Sequence, residues 1–410
     1  MSALGQYQTL SIHPDQLAEE LSKNTCYLNL APSIFCFNMA IRSQPSRHHK
    51  LGYCRPLHLV PMAILCVSGM VVVDSLALAQ QLTLEDIVSS VNSAADTPDI
   101  DAAVVTPDSL CTLSDKGGLA DSTIPNRFHA ASISKLFTAI VILQLRDEGA
   151  LSLQDRVGVY EPSFSDSPIR IEHLLTHTSG LRDRQRADGR TTDAEVDAYI
   201  HSLAKQRTGK TPGLNWRYAD AGFNLLGRII ENVTGKSYSI VMQDRLLVPI
   251  GMQDSSFDLS NIPVGNRVQA YDRRGNPIEH PWDLAFLPSS GLQTTATDLA
   301  IFARAVLQIL SGVSEPVVSL DSLHEMTVVR IATEWDGVSQ GYGWQLADTR
   351  QGHQWRHAGA EAGFESLLTI YPEAGFAIVV LGNKEDWPRF EFEQEIMSRL
   401  MKKPSICTDN

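Results

Sequence analysis

Cysteine is scarce in this chain and unevenly placed. Of six in 410 residues, Cys26, Cys36, Cys54 and Cys66 fall within the first eighty, leaving only Cys111 and Cys407 near opposite ends of the remainder. Two cysteines so placed cannot form a disulfide scaffold. The fold must rest on a packed core, and 43% hydrophobic residues supply one. Positive charge is short as well: 34 Lys and Arg stand against 47 Asp and Glu, a formal charge of −13. No Lys/Arg cluster follows residue 80, which excludes a nucleic-acid surface built on phosphate contacts. The expected partners are small molecules or short peptides. A metal-binding pattern is also lacking. His173/His177 and His353/His357 have i, i+4 spacing, but no Glu completes a His-Glu-x-x-His motif. Neither a metal nor a cofactor is expected.

Long apolar runs are limited to one. Leu59 to Val73 is preceded by Arg42, Arg47, Lys50 and Arg55 and followed by Ala77-Leu78-Ala79-Gln80. A basic flank, a short apolar run and a small-x-small end describe a secretory signal cut after Ala79. The run is shorter than the roughly 20 residues a membrane span needs, and Asp74 closes it. Because it begins some fifty residues in, Met39 is the expected start and residues 1–38 an upstream extension of the reading frame. Residues 1–80 are therefore read as extension and signal, 81–400 as the working domain and 401–410 as a tail. The product is expected outside the cytoplasm, secreted or periplasmic, with membrane contact only if residues 59–79 are retained.

The pattern along the rest predicts an α/β lobe interrupted by an all-α one. Gln81–Ser93 reads as a helix, and Ile100–Val105 and Ser109–Leu113 as strands. From Leu151 to about residue 290 helical segments dominate: Ile169–Thr176, Ala194–Gln206, Ala221–Val233 before Gly235, and Ser237–Leu247 before Pro249. A capped amphipathic helix follows from Thr297. Strands then return at Gly341–Ala347, Gln354–His357, Phe364–Tyr371 and Phe376–Asn383, and Glu391–Met401 closes the chain as a helix. The expected architecture is an antiparallel sheet flanked by helices, from residues 81–150 and 291–400, with residues 151–290 inserted as a helical domain. A cleft is expected between the two.

One stretch carries chemistry. In Phe128-His129-Ala130-Ala131-Ser132-Ile133-Ser134-Lys135, a helix pattern begins at or just after Ser132 and ends at Gly149. Ser132 and Lys135 then share one face of the first turn. The hydroxyl lies beside an amine able to take its proton if desolvated, and beside free backbone N–H groups that favour developing negative charge. Spacing alone decides little: Ser202-Leu203-Ala204-Lys205 repeats it on a solvated helix face, and a serine cap with an exposed lysine would explain Ser132 as well.

Two further stretches, in order, decide it. Tyr218-Ala219-Asp220 precedes a helix, and His357-Ala358-Gly359 lies on a strand. With Ser132-Ile-Ser-Lys135 they resemble the serine β-lactamase and penicillin-binding-protein superfamily, in the branch of class C β-lactamases, D,D-peptidases and related esterases. Leu174-Leu175-Thr176-His177-Thr178-Ser179-Gly180-Leu181, Ser290-Gly291-Leu292 and Tyr342-Gly343-Trp344 add supporting matches over about residues 82–400. The resemblance implies that Ser132 attacks a carbonyl to form an acyl-enzyme, and that Lys135 and Tyr218 shuttle its proton. It also implies that the N–H groups of Ser132 and Ala360, just past Gly359, form an oxyanion hole. Two departures shift the expected substrate. Asp220 stands where the family has Asn, so a group that can donate to a substrate carbonyl becomes one that only accepts; it could also serve as an N-cap. His357-Ala358 replaces the Lys-Thr pair that grips a β-lactam carboxylate. Both disfavour efficient β-lactam hydrolysis and favour ester or amide substrates, with peptidoglycan fragments among the candidate partners.

Other readings compete. Gly337-Val338-Ser339-Gln340-Gly341 fits the Gly-x-Ser-x-Gly elbow, which needs a strand before the serine and a helix after it, but a strand pattern follows here. A non-catalytic receptor that keeps the cleft, its turnover lost through Asp220, is the alternative of a different class. A true class C-like β-lactamase is the third.

Overall fold

The computed structural model describes residues 99–115 and 126–402, except 186, 207–208, 280–281, 315–316 and 351. The apolar run 59–73, the expected helix 81–93 and Cys407 lie outside the described residues.

Alternation of apolar residues builds an eight-stranded antiparallel sheet. Its strands in chain order are β1 (Ile100–Val105), β2 (Leu110–Asp115), β3 (Ile331–Ala332), β4 (Val338–Gln340), β5 (Gln345–Thr349), β6 (Gly352–Glu361), β7 (Phe364–Tyr371) and β8 (Phe376–Gly382). Their spatial order is β2-β1-β8-β7-β6-β5-β4-β3. In β8, Ala377, Val379 and Leu381 face one core cluster while Ile378 and Val380 face another, so the central strands are covered on both sides. Helix α5 (Arg389–Lys402) covers one face through Phe392, Ile396 and Met397. The other is covered by α1 (Ser134–Asp147) and α4 (Ala296–Leu310), the latter capped by Thr295, whose hydroxyl accepts from the Asp298 N–H at 3.0 Å.

The insertion is helical, as its sequence predicts. It holds α2 (Asp193–Ala204), opened by a Thr192/Glu195 capping box, and α3 (Asp220–Thr234), closed by Gly235 in the left-handed region. Short helices at Ile171–Leu175 and Tyr238–Met242 and a two-stranded ladder, Ala270–Tyr271 with Pro277–Ile278, complete it. One expectation needs correction. The strand expected at Gly341–Ala347 begins only at Gln345, because Gly341 and Gly343 form a tight turn. That turn packs so closely that a Cβ on Gly341 would lie 2.2 Å from the Met326 carbonyl. Ser339 sits within β4, paired on both sides by β3 and β5, with no helix after it, so the elbow that the following strand pattern had disfavoured is absent.

Candidate active site

The site begins as a turn that the sequence could not draw. Ser132 lies in a single 3-10 turn, Ala131–Ile133, immediately before α1, and the buried Ala131 ahead of it holds φ +48°. A non-glycine residue in that region is strained and persists only where its surroundings over-determine it. They do here. Ser134 Oγ donates to the Ala131 carbonyl at 2.7 Å and accepts from the Leu292 N–H at 2.9 Å. The Ala130 N–H donates to the Leu292 carbonyl at 2.8 Å, and Ser366 Oγ donates to the Ala130 carbonyl at 2.7 Å.

In the first turn of α1, Lys135 is fully buried. Its Nζ donates to Ser132 Oγ at 3.0 Å, to the Ser289 carbonyl at 2.9 Å and to Asp220 Oδ1 at 2.6 Å. Burial alone would push the ammonium down. Asp220 and then Tyr218 outweigh it and hold Lys135 above the usual lysine range. Tyr218 reaches the cluster from the loop before α3. It interacts electrostatically with both Lys135 and Ser132, and the ammonium sits 4.9 Å from its ring centre. Burial raises the phenol; Lys135 pulls it down and Asp220 pushes it up, with a net rise. The resting arrangement is thus a charged lysine held against Asp220 and a neutral tyrosine.

His357 completes the inner wall. The ring is fully buried, with Nδ1 2.9 Å from the Ala358 carbonyl, so Nδ1 carries the proton. Burial, reinforced by Lys135, pushes its pKa down to about 3, and the imidazole is neutral. Gly359 is where β6 passes the nucleophile turn: a Cβ there would lie 2.2 Å from Ser366 Oγ and 2.5 Å from the Ala130 carbonyl. Pairing of β6 with β5 stops at Arg356, while pairing with β7 continues through Glu361. Past Arg356 the strand therefore has an open edge, and Ala358, Ala360 and Ser132 together line a cleft of about 460 Å³.

Ser132, Lys135, Tyr218, Asp220, His357, Gly359 and Ala360, scattered over more than two hundred positions, thus converge. The N-cap expectation for Asp220 is corrected: its carboxylate turns to Lys135, and α3 is capped from a distance. Asp183 Oδ2 and Oδ1 accept from the N–H groups of Asp220 and Ala221, at 3.0 and 2.9 Å. Asp183 carried no sequence signal. Nor did the role of His177, at φ +56°, whose carbonyl and Nδ1 accept from the N–H groups of Arg217 and Ala219 and whose ring stacks on Tyr218 at 4.4 Å. His173 Nδ1 accepts from the Arg170 N–H, so both rings of the i, i+4 pair serve the backbone.

A serine and a lysine one turn apart, under the open edge of a helix-flanked antiparallel sheet and facing a helical insertion, define the class: proteins of the serine β-lactamase and penicillin-binding-protein superfamily. The chain itself belongs to the β-lactamase family, whose model matches residues 112–397. It is 29% identical over 289 residues to "Penicillin-binding protein 4" of Amycolatopsis lactamdurans, covering 64% of this chain and 73% of that one. It is 26% identical over 274 residues to "Protein flp" of Staphylococcus aureus (strain NCTC 8325 / PS 47), covering 63% of this chain and only about half, 53%, of that one. Among solved structures, the octameric penicillin-binding protein homologue from Pyrococcus abyssi superposes with a TM-score of 0.68 at 24% identity, over 78% of this chain and 77% of that one, a likeness of fold.

Proposed function

We propose that this protein is a serine hydrolase that cleaves ester or amide bonds through an acyl-enzyme on Ser132. The observation that carries the reading is the fully buried Lys135 ammonium 3.0 Å from Ser132 Oγ, with the Tyr218 ring 4.9 Å from that ammonium and on the wall of the same cleft as Ser132. Lys135 first gives a proton to Asp220 Oδ1, 2.6 Å away; as Ser132 Oγ bonds the substrate carbonyl carbon, its proton passes to the freed amine, and the departing alcohol or amine takes a proton back by way of Tyr218. Water then adds to the acyl-enzyme and releases the acid. The N–H groups of Ser132 and Ala360 are assigned to the oxyanion, each donor worth roughly 3 kcal/mol. His357, neutral and lacking the reach of a lysine, supplies no charge for a substrate carboxylate. This supports esters and D-amino-acid amides, including peptidoglycan fragments, over β-lactams.

One observation favours a second reading. Asp220 keeps Lys135 protonated at rest, as a receptor that binds without turning over would. A fluorophosphonate and a labelled penicillin, each followed by peptide mapping, separate the two. Covalent label on Ser132, lost in Ser132→Ala together with p-nitrophenyl ester hydrolysis, supports the hydrolase; tight binding without label supports the receptor. Export is part of the proposal, supported by the basic-then-apolar pattern up to Ala79, and N-terminal sequencing of the secreted protein tests it, a start far from Gln80 counting against it.

A further inference from the structure

We propose that Trp335 is a specificity-determining residue of this cleft, an aromatic shelf that selects substrates carrying an aryl or similarly flat apolar group near the scissile carbonyl. The inference deepens the hydrolase reading and rests on it for the identity of the site.

Trp335 is unusual in being a large ring left 42% exposed on a segment that is otherwise tightly tied. Its N–H donates to Thr333 Oγ1 at 3.0 Å, its carbonyl accepts from the Val338 N–H at 3.1 Å, and the Thr333 N–H donates to the Val338 carbonyl at 3.2 Å. Gly337, at φ +68°, lets that hairpin close. A hairpin so fastened presents its ring in one place. The ring packs edge-on against Trp216, with centres 4.8 Å apart at 74°, and tilts over Tyr218 at 5.7 Å. It nevertheless lines the cleft that holds Ser132, with Val338 and Phe390 as further apolar wall. One part of the ring is thus spent on the Tyr218 loop, while another faces the space a substrate must enter. An exposed indole gains from covering by a second flat ring, through both area and offset stacking. Its N–H asks nothing of an apolar partner if it remains in water.

The test compares phenylboronic with methylboronic acid as protectants of Ser132 against fluorophosphonate labelling. In each, Ser132 Oγ donates a lone pair to the trigonal boron and its proton leaves to solvent, so the adducts differ only in the phenyl group. The wild type is expected to favour the phenyl compound. Trp335→Ala should lower that preference by roughly 3- to 10-fold, the range of one aromatic pair, and Trp335→Phe should restore most of it. If both compounds weaken equally in Trp335→Ala, the ring only supports Tyr218 and the proposal is overturned. An unchanged ratio also overturns it. Should Ser132 not label at all, the hydrolase reading fails, and the shelf is then judged alone by tryptophan emission. The signal lost between wild type and Trp335→Phe should respond to benzamide and not to acetamide; no response to benzamide overturns the shelf.

Discussion

A lysine with no exposed surface, held by a carboxylate that keeps 27% of its own, makes an asymmetric pair. Removing the carboxylate leaves an ammonium sealed from water. Removing the lysine leaves a carboxylate that water can still reach. Asp220→Ala is therefore expected to destabilise the protein more than Lys135→Met, by about 3 kcal/mol or more from the uncompensated charge, less whatever the lysine recovers by giving up its proton. Urea unfolding of the two variants at neutral pH checks the order, and a larger loss in Lys135→Met would contradict it. The same pair sets a pH dependence. Asp220 raises Lys135, so Asp220→Asn should lower it, and the acid limb of Ser132 labelling by a fluorophosphonate should move to lower pH. At this scale the sequence was legible where a motif fixed both residue type and spacing, as for Ser132, Lys135 and Tyr218. It was silent on Asp183, His177 and Trp335, whose roles arise from loops meeting across the fold.

Elements were legible where one periodicity ran unbroken. Phe364–Tyr371 and Ile100–Val105 fall where alternating or continuous apolar residues put them, and α3 runs one residue beyond its pattern at each end. They were illegible where close approach, not pattern, decided the path: the Gly341–Gly343 turn, the strained Ala131, and the passage of β6 over the nucleophile turn. The last of these gives an element-scale prediction. In Gly359→Ala the new Cβ meets a hydroxyl that can rotate and the Ala130 carbonyl, which cannot move without carrying Ser132 with it. Overpacking of this kind costs roughly 1–3 kcal/mol. We expect a lower melting temperature together with a loss of Ser132 labelling out of proportion to it. Adding Ser366→Ala, which removes the hydroxyl contact together with its hydrogen bond to the Ala130 carbonyl, should restore part of the stability and little of the labelling. Full recovery of labelling would show that β6 does not set the position of the nucleophile.

Across the whole molecule, the lobes close on the site by burying two histidines that stay neutral. Burial first, then Lys135 and His357, hold His177 well below the usual imidazole value, and burial with Lys135 brings His357 to about 3. An unfolded chain takes up a proton on each near pH 6.5, which the native state refuses. Stability contributed by such a group is present above the unfolded value and is lost as pH falls, by about 1.4 kcal/mol per pH unit for each histidine until the native ring protonates. Other groups push the opposite way. Burial raises Asp298 to about 6 and lifts Asp183 and Glu393, so the native state binds protons there before the unfolded chain does. Total acid stability is a balance of these, but a difference between two proteins is not. His357→Asn keeps a donor for the Ala358 carbonyl and removes the titration, while the carboxylates are common to both chains. The stability difference between wild type and His357→Asn should therefore be flat above pH 7 and shift in favour of the variant by about 1.4 kcal/mol per unit from pH 6 down to pH 4. Denaturant midpoints at half-unit intervals would show it, and parallel pH curves for the two proteins would mean that His357 takes up its proton in the folded state as readily as in water.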